Sequence, residues 1–233
     1  MNVIIIPARG GSKRVPGKNI KNFYGKPIIA WPIAIAQASG LFDRIIVSTD
    51  SEEIAAVARE WGAETPFLRP ANLADDYTPT APVLAHALDV LSENGCDPEY
   101  TCCMYPATPF VLPEYLRQGL EKLCTNNAPG VVSVTTFSYP ILRTLHGLDD
   151  GSVAFYWPEY ELTRSQDLKE FFHDAGQFYW FNTKRFRAEK RLVMPGALPF
   201  MLPRERTLDI DTPEDWRMAE LMGAVLLSGE QQS

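Results

Sequence analysis

The first segment that could carry chemistry is a basic, glycine-containing loop near the start of the chain. An apolar run at Asn2–Pro7 leads into residues 8–19, here called the phosphate loop. Glycines let backbone N–H groups approach phosphate oxygens closely, an arginine can grip a phosphate with two parallel hydrogen bonds, and lysines supply point charges. The loop consists of Ala8, Arg9, Gly10, Gly11, Ser12, Lys13, Arg14, Val15, Pro16, Gly17, Lys18 and Asn19. This composition predicts a site for phosphate groups.

Two familiar phosphate-binding motifs are absent from this loop. A Walker A loop needs Gly-x4-Gly-Lys-Ser/Thr, but Ser12 stands where the first glycine should be, and Asn19 replaces the hydroxyl residue that binds magnesium. The dinucleotide pattern Gly-x-Gly-x-x-Gly is also missing, which disfavours a dehydrogenase. Neither of these two motifs therefore accounts for the phosphate loop.

A second candidate site is the carboxylate pair Asp209-Ile210-Asp211, expected between a strand and the last helix. On a strand, residues i and i+2 point to the same face, so both carboxylates could bind one Mg²⁺ ion, which takes oxygen ligands. Alternatively, Asp211 or Thr212 only caps the helix and Asp209 is a surface charge. The residues alone leave both interpretations open.

A third segment, residues 138–182, combines aromatic and polar side chains. Aromatic faces pack on sugar C–H groups, while Arg, Gln and His fix hydroxyl and carboxylate groups. The alternative is an arm with a polar surface that pairs with a second subunit. The polar positions include Arg164, Gln166, His173, Asp174 and Gln177.

The charge distribution favours a small anionic ligand. Residues 1–42 carry six basic side chains and no Asp or Glu, although the formal net charge of the chain is −7. A basic pocket on an acidic protein suits a nucleotide triphosphate better than a nucleic acid. We found no signal peptide and no apolar run long enough to span a membrane, so we expect a cytoplasmic protein. The four cysteines lack metal-ligand spacing and are expected to be buried, reduced thiols.

Strand and helix patterns alternate along most of the chain, which predicts a single α/β domain with a mostly parallel, doubly wound sheet. Ligands bind such sheets at the carboxyl ends of the strands. After residue 137 the pattern predicts antiparallel strands and loops, followed by a last helix capped by Thr212. The predicted strands are Asn2–Pro7, Arg44–Ser48, Tyr100–Tyr105 and Gly130–Thr136, and the predicted helices are Pro27–Ser39, Ser51–Gly62, Thr80–Leu91 and Leu112–Leu123.

The phosphate loop resembles the signature of nucleotidyltransferases that activate sugars, in particular the CMP-sialic acid and CMP-Kdo synthetases. The resemblance rests on Ala8-Arg9, Ser12-Lys13 and Lys18-Asn19, extends through Ile46–Asp50 and Leu68–Asp76, and covers nearly the whole chain. It implies a three-layer, Rossmann-like fold of the nucleotide-diphospho-sugar transferase type with a small antiparallel dimerisation arm. It also implies catalytic roles for Arg9, Lys18 and Asp211, and Mg²⁺ bound by Asp209 and Asp211. The CTP-binding residues implied are Ala8, Arg9, Gly10, Gly11, Ser12, Lys13, Lys18, Asn19, Arg69, Thr78 and Thr80.

Two further segments resemble the branch of this family that uses pseudaminic acid. Tyr105 stands where the family's Gln-Pro-Thr-Ser-Pro motif has glutamine, and the runs Arg164–Asp167 and His173–Tyr179 match that branch. The resemblance implies two substrates, CTP and a nine-carbon keto-acid sugar, and a product used for surface glycans or flagellin glycosylation. We expect a homodimer because the aromatic arm would otherwise expose apolar surface. The sugar-binding residues implied are Tyr105, Arg143, Arg164, Gln166, His173, Asp174, Gln177 and Tyr179.

Three alternatives remain at this point. The same reaction could use N-acetylneuraminic acid, legionaminic acid or Kdo. The chain could instead be a non-catalytic nucleotide-binding module, which retention of the basic loop and the carboxylate pair disfavours. It could also be an interaction protein whose residues 138–182 serve only to dimerise.

Overall fold

A six-stranded sheet forms the centre of the protein. The structure is a computed structural model, and it describes residues 1–227. In the described part of the chain, the strands are β1 (Asn2–Pro7), β2 (Asn22–Phe23), β3 (Lys26–Pro27), β4 (Arg44–Ser48), β5 (Tyr100–Met104), β6 (Gly130–Thr136), β7 (Leu145–Gly147), β8 (Val153–Phe155), β9 (Phe172–Asn182) and β10 (Leu198–Met201). The helices are α1 (Ala30–Ser39), α2 (Glu52–Glu60), α3 (Thr80–Glu93), α4 (Pro113–Thr125), α5 (Thr183–Glu189) and α6 (Pro213–Leu226).

The strand order of the central sheet is β10-β6-β9-β5-β1-β4, and β9 alone runs antiparallel to its two neighbours. The predicted α/β fold with a mostly parallel sheet is therefore confirmed. Parallel strands with helices on both faces are buried on both sides, which explains the continuous apolar run Val3–Ile6 in β1. Pro199 is tolerated in β10 because that strand lies at an edge of the sheet.

Helices cover both faces of the sheet and make a three-layer structure. One face packs against α1, α2 and α4, and the other against α3 and α5. The aromatic run of β9 is buried between these layers, where the indole N–H of Trp180 donates to the carbonyl of Leu116 at 3.1 Å. Gly119 of α4 permits this approach, because a Cβ atom there would lie 2.9 Å from the Trp180 ring.

Several element boundaries differ from the sequence prediction. The helix predicted from Pro27 begins at Ala30, because Pro27 belongs to the small hairpin β2–β3. The strand predicted to end at Tyr105 ends at Met104, although the N–H of Tyr105 still donates to Gln177 at 3.0 Å. The sequence prediction missed α5 and β10. The expectation that all cysteines are buried was wrong for Cys124, which is exposed on α4, whereas the other three are buried free thiols.

The segment before α6 corrects a further expectation. Residues 207–211 form no strand, so the argument that Asp209 and Asp211 share a face because of strand geometry was wrong. The predicted cap of α6 is confirmed: Thr212 accepts from the N–H of Asp215, and Asp215 accepts from the N–H of Thr212 at 2.8 Å. Because Thr212 caps the helix, Asp211 is not needed for that task.

The segment predicted as an arm divides into two parts. Residues 138–171 contain only the short hairpin β7–β8 and 3-10 turns, and they leave Tyr139, Val153 and Leu162 largely exposed. Residues 172–182 form β9 in the middle of the main sheet, so the boundary predicted at residue 182 falls inside the sheet. Within residues 1–227, no helix is both long enough and apolar enough to cross a membrane.

Candidate active site

A cavity of about 340 Å³ opens where β1 and β5 end, between the phosphate loop and the segments that carry Arg69, Tyr105 and Asp209. This is the sheet edge at which the strand pattern predicted a ligand. It brings together ten of the predicted site residues from five separate parts of the chain. They are Arg9, Ser12, Lys18, Asn19, Arg69, Thr78, Thr80, Tyr105, Asp209 and Asp211.

The phosphate loop is tied to the sheet by several hydrogen bonds. The N–H of Ala8 donates to Ser48 at 2.9 Å, and the N–H of Gly10 donates to the Asp50 carboxylate at 2.8 Å. At the other end of the loop, the Asn19 side chain donates to the carbonyl of Arg9 at 2.9 Å. At Gly11, no atom lies within 4 Å of the position that a Cβ atom would take, so a ligand could approach the backbone there. The loop is thus held in place before any phosphate arrives.

Asn19 lines the cavity and carries a buried acceptor. Its side chain is 3% exposed, and within residues 1–227 its Oδ1 atom has no hydrogen-bond partner although it is buried. A buried polar atom without a partner is costly, so a ligand that supplies a donor here is favoured. Phosphate oxygens cannot donate, so the matching group is a hydroxyl or a metal-bound water.

The cations of the loop meet two carboxylates. Arg9 and Lys13 both donate to Asp76, while Arg14 and Lys18 both donate to Asp211, at 2.6 and 3.2 Å. Hydrogen bonds from Lys13 and then from Arg9 hold the pKa of Asp76 below its usual value. Lys18 is the least exposed of the four cations and also donates to the carbonyl of Ile210.

Asp76 was missed by the sequence analysis. The only signal for it was a pair of adjacent acids, Asp75-Asp76, in a segment otherwise expected to meet an anion. Asp75 has a local role, because it accepts from the backbone N–H groups of Tyr77 and Thr78 and from the Thr78 hydroxyl at 2.7 Å. Asp76 instead reaches across to the phosphate loop. Thr78 therefore borders the cavity with its hydroxyl already engaged.

Arg69 is a buried cation in the cavity wall. It is 6% exposed and donates to the side-chain and backbone oxygens of Ser48. Burial lowers its pKa from the usual value, the nearby Asp50 opposes that shift, and Arg9 adds to it. Both oxygens are neutral, so the guanidinium charge adds to the positive potential of the cavity, which favours an anionic ligand.

The two predicted metal ligands both line the cavity despite the absent strand. Burial, and then the neighbouring Asp211 carboxylate, raise the pKa of Asp209. Two carboxylates that disfavour each other's charge gain from a shared cation, and Mg²⁺ accepts one or two protein carboxylates together with waters and substrate phosphates. The described residues contain no group of three or more His, Cys, Asp and Glu side chains that could enclose a metal alone. The donor set therefore fits Mg²⁺ bound together with a triphosphate.

Of the predicted sugar ligands, Tyr105 faces the cavity. Its hydroxyl lies 3.1 Å from the Thr80 hydroxyl, and burial raises its pKa, so it stays protonated. Gln177 and Tyr179 are each 1% exposed and bond within the protein. Asp174 accepts from the Tyr179 hydroxyl at 2.7 Å. The residue of this segment that does line the cavity is Gly176, which the sequence analysis did not single out.

The remaining predicted sugar ligands lie outside this cavity. His173 borders a neighbouring hollow of about 550 Å³ that also contains Arg204, and Gln166 borders another of about 370 Å³. Arg164 pairs with Asp167 at 2.7 Å, and Arg143 donates to the carbonyl of Thr163 at 3.3 Å. The cavity lining thus contains seven of the eleven predicted CTP ligands and lacks Ala8, Gly10, Gly11 and Lys13, and these four predicted sugar ligands lie dispersed outside it.

Known proteins resemble this chain along almost its full length. The family model for cytidylyltransferases matches residues 3–194. Pseudaminic acid cytidylyltransferase of Campylobacter jejuni is 39% identical over 221 residues, which cover 95% of each chain. CMP-N,N'-diacetyllegionaminic acid synthase of Legionella pneumophila is 33% identical over 228 residues, or 93% of each chain.

Solved structures agree on the fold. A CMP:2-keto-3-deoxy-manno-octonic acid synthetase complexed with CTP superposes with a TM-score of 0.70, covers 96% of this chain and 98% of its own, and is 16% identical. At that identity the likeness shows the fold alone. The family match and the identity to characterised relatives go further: the chain belongs to the cytidylyltransferase family.

Proposed function

We propose that this enzyme transfers CMP from CTP to pseudaminic acid and releases pyrophosphate. One observation carries the proposal: Arg9 and Lys18 of the phosphate loop line the same cavity as the Asp209–Asp211 pair, in a chain of this family. The sugar is proposed from the relative that is 39% identical over 95% of both chains and bears that substrate in its name.

In the proposed reaction, the anomeric hydroxyl oxygen of the sugar bonds to the α-phosphorus of CTP. The bond between that phosphorus and the oxygen bridging to the β-phosphate breaks, pyrophosphate leaves with the bonding electrons, and the hydroxyl proton passes to solvent. Such a transfer depends mainly on positioning and charge neutralisation. Arg9, Lys13 and Lys18 hold the triphosphate and offset the charge that grows on the leaving group.

Asp209 and Asp211 are the residues that would hold Mg²⁺. When bound, the ion neutralises phosphate charge and lowers the pKa of the attacking hydroxyl. Lys18 and Arg14 keep Asp211 in place in the absence of the ion, through contacts at 3.2 and 2.6 Å. The Asn19 acceptor is available to a donor on the substrate or on a bound water.

We further propose a cytoplasmic homodimer. The cytoplasm supplies CTP, and the apolar side chains exposed on residues 138–171 need a partner surface, which a second copy would provide. Light scattering coupled to size exclusion tests the dimer. A monomer at micromolar concentration would contradict it.

The decisive experiment is pyrophosphate release with CTP and Mg²⁺ across a panel of acceptors: pseudaminic, legionaminic and N-acetylneuraminic acids, and Kdo. We expect release with pseudaminic acid at the highest kcat/KM. Faster release with another acid would keep the reaction and overturn the sugar. CTP binding without release with any acid would instead support a non-catalytic nucleotide-binding module.

A further inference from the structure

The strand β9 contains a four-residue bulge beside the cavity. Val132 of β6 pairs with Tyr179, and Val134 pairs with Asp174, so residues 175–178 of β9 face the single residue Ser133. We call residues 175–178 the β9 bulge. Gly176, at φ +60°, takes a left-handed conformation there and lines the cavity. Bulges beside active sites commonly redirect side chains, so the bonds that hold this one bear on the cavity.

Asp174 joins the two ends of the bulge. Its carboxylate accepts from the N–H of Gly176 at 2.9 Å and from the Tyr179 hydroxyl at 2.7 and 2.8 Å. The Tyr179 ring in turn packs edge-on against Tyr105, with the ring centroids 5.6 Å apart. Tyr105 lines the cavity, and its hydroxyl contacts the Thr80 hydroxyl. The contacts from Asp174 through Tyr179 therefore fix the position of the Tyr105 ring in the cavity wall.

Gln177 connects the bulge to the carboxylate pair. Its amide is almost fully buried and donates to the carbonyls of Ala175 at 2.9 Å and Leu208 at 3.2 Å. Leu208 immediately precedes Asp209 in a segment without regular structure, where no ladder of backbone hydrogen bonds fixes the chain. The Gln177 amide therefore provides part of the placement that a strand would otherwise give Asp209.

We infer that Gln177 and Asp174 are positioning residues for CMP transfer and not ligands of the sugar. Gln177 places the segment that carries Asp209 and Asp211, and Asp174 places Tyr105 through Tyr179. This inference rests on the proposed function for its kinetic consequences. The positions of Tyr105 and of the segment that carries Asp209 and Asp211 do not depend on the reaction, so they can be measured without substrates.

The test compares Gln177→Met with Gln37→Met. Gln37 also donates its amide to a backbone carbonyl, that of Trp61 at 3.0 Å, but it is exposed and lies outside the cavity. For Gln177→Met we expect kcat to fall about 10- to 100-fold, since small misplacements at a reacting centre cost that much. The KM for the sugar should stay within about twofold, and the Mg²⁺ concentration for half-maximal rate should rise, whereas Gln37→Met should match the wild type.

Hydrogen exchange supplies a readout that needs no reaction. Peptides containing residues 207–211 should exchange faster in substrate-free Gln177→Met than in the wild type and in Gln37→Met. If the wild type released no pyrophosphate, the proposed function would fail while this measurement still tested the placement. Unchanged exchange would overturn the inference, as would a higher sugar KM with an unchanged Mg²⁺ requirement.

Tyr179→Phe tests the other contact and provides a second variant should Gln177→Met fold poorly. It keeps the ring against Tyr105 and removes only the hydroxyl that donates to Asp174. We expect a several-fold rise in sugar KM with an unchanged Mg²⁺ requirement. Wild-type sugar KM in this variant, or a change confined to the Mg²⁺ requirement, would contradict the role given to Asp174.

Discussion

The nucleotide side of the cavity and residues 138–171 are built in different ways. The phosphate loop is bonded to β4 and to Asp50 through Ala8 and Gly10, and its cations pair with carboxylates from distant parts of the chain. In residues 138–171, Arg164 pairs with its near neighbour Asp167, and several large apolar side chains face solvent. One region is therefore held by contacts between distant parts of the chain, whereas the other exposes apolar side chains.

This difference separates two kinds of chemistry. Binding a triphosphate requires fixed charge at a fixed place, which a sheet edge provides through short, well-bonded loops. Recognition of a particular sugar varies between relatives of one fold, and loops can vary without disturbing the sheet. The following predictions test whether the reaction depends on the first region and the choice of sugar on the second.

The largest effect is expected for Asp211→Ala. The change removes one proposed metal ligand and the partner of both Arg14 and Lys18. We expect turnover to fall by at least about 1,000-fold with the fold intact, because charge stabilisation of the transferring phosphoryl group is lost. Steady-state kinetics and circular dichroism check this, with Asp149→Ala as the control, because Asp149 is exposed and does not line the cavity. Full activity with an unchanged Mg²⁺ requirement would remove Asp211 from the metal site.

A smaller loss is expected for Lys18→Ala. Lys18 is the most buried cation of the loop, so its charge is screened least by solvent. We expect kcat to fall about 100-fold, as for removal of a single donor that stabilises the transition state. The matched control is Lys184→Ala, because Lys184 is exposed on α5 and does not line the cavity. A higher KM for CTP with an unchanged kcat would mean that Lys18 only binds substrate.

Lys18 and Asp211 also show which parts of the site could be predicted from the sequence. The phosphate loop was predictable because it follows one strand directly, so local sequence determines both its composition and its place. For Asp211, strand geometry was an incorrect reason, because residues 209–211 lie in no strand; the family resemblance was the other reason, and the structure places Asp211 in the cavity lining. Its position comes from long-range contacts with Lys18 and Arg14, and local sequence does not encode contacts of that range.

The position of β9 was the hardest feature to predict. Its aromatic residues are typical of a strand, but sequence spacing does not indicate that β9 inserts antiparallel between β5 and β6. That insertion buries Gln177 and Tyr179, which a family resemblance had assigned to the sugar. Asp76 was missed for a related reason, because its partners Arg9 and Lys13 lie more than sixty residues away in sequence.

Residues 138–171 are tested by Arg164→Ala. Arg164 stays a predicted ligand of the sugar carboxylate, although here it pairs with Asp167 at 2.7 Å and is largely exposed. We expect the sugar KM to rise about tenfold, the size of one lost charge-assisted hydrogen bond, with the CTP KM unchanged. Kinetics with each substrate varied in turn measures both constants. A changed CTP KM would contradict the division between the two regions.

Asp76→Asn should alter CTP binding modestly. In the free protein Asp76 holds Arg9 and Lys13, the same cations that a triphosphate needs. Removing its charge should tighten CTP binding about threefold and no more, because exposed ion pairs contribute little free energy. Calorimetry at fixed Mg²⁺ checks this. The pKa of Asp76 is depressed, so its ion pairs persist at neutral pH and are lost as pH falls through the pKa of the folded protein. Weaker CTP binding by Asp76→Asn would mean that Asp76 is needed when CTP is bound.

The smallest effect on the reaction is expected for Thr212→Ala. Thr212 accepts from the N–H of Asp215 at 3.2 Å and thereby caps α6 directly after Asp211. Loss of a helix N-cap costs about 1 kcal/mol of unfolding free energy, which urea titration measures. Lys18 and Arg14 still hold Asp211, so kcat should change by less than about twofold. A large fall in kcat at unchanged stability would show that the helix cap, and not the pairing with Lys18 and Arg14, places Asp211.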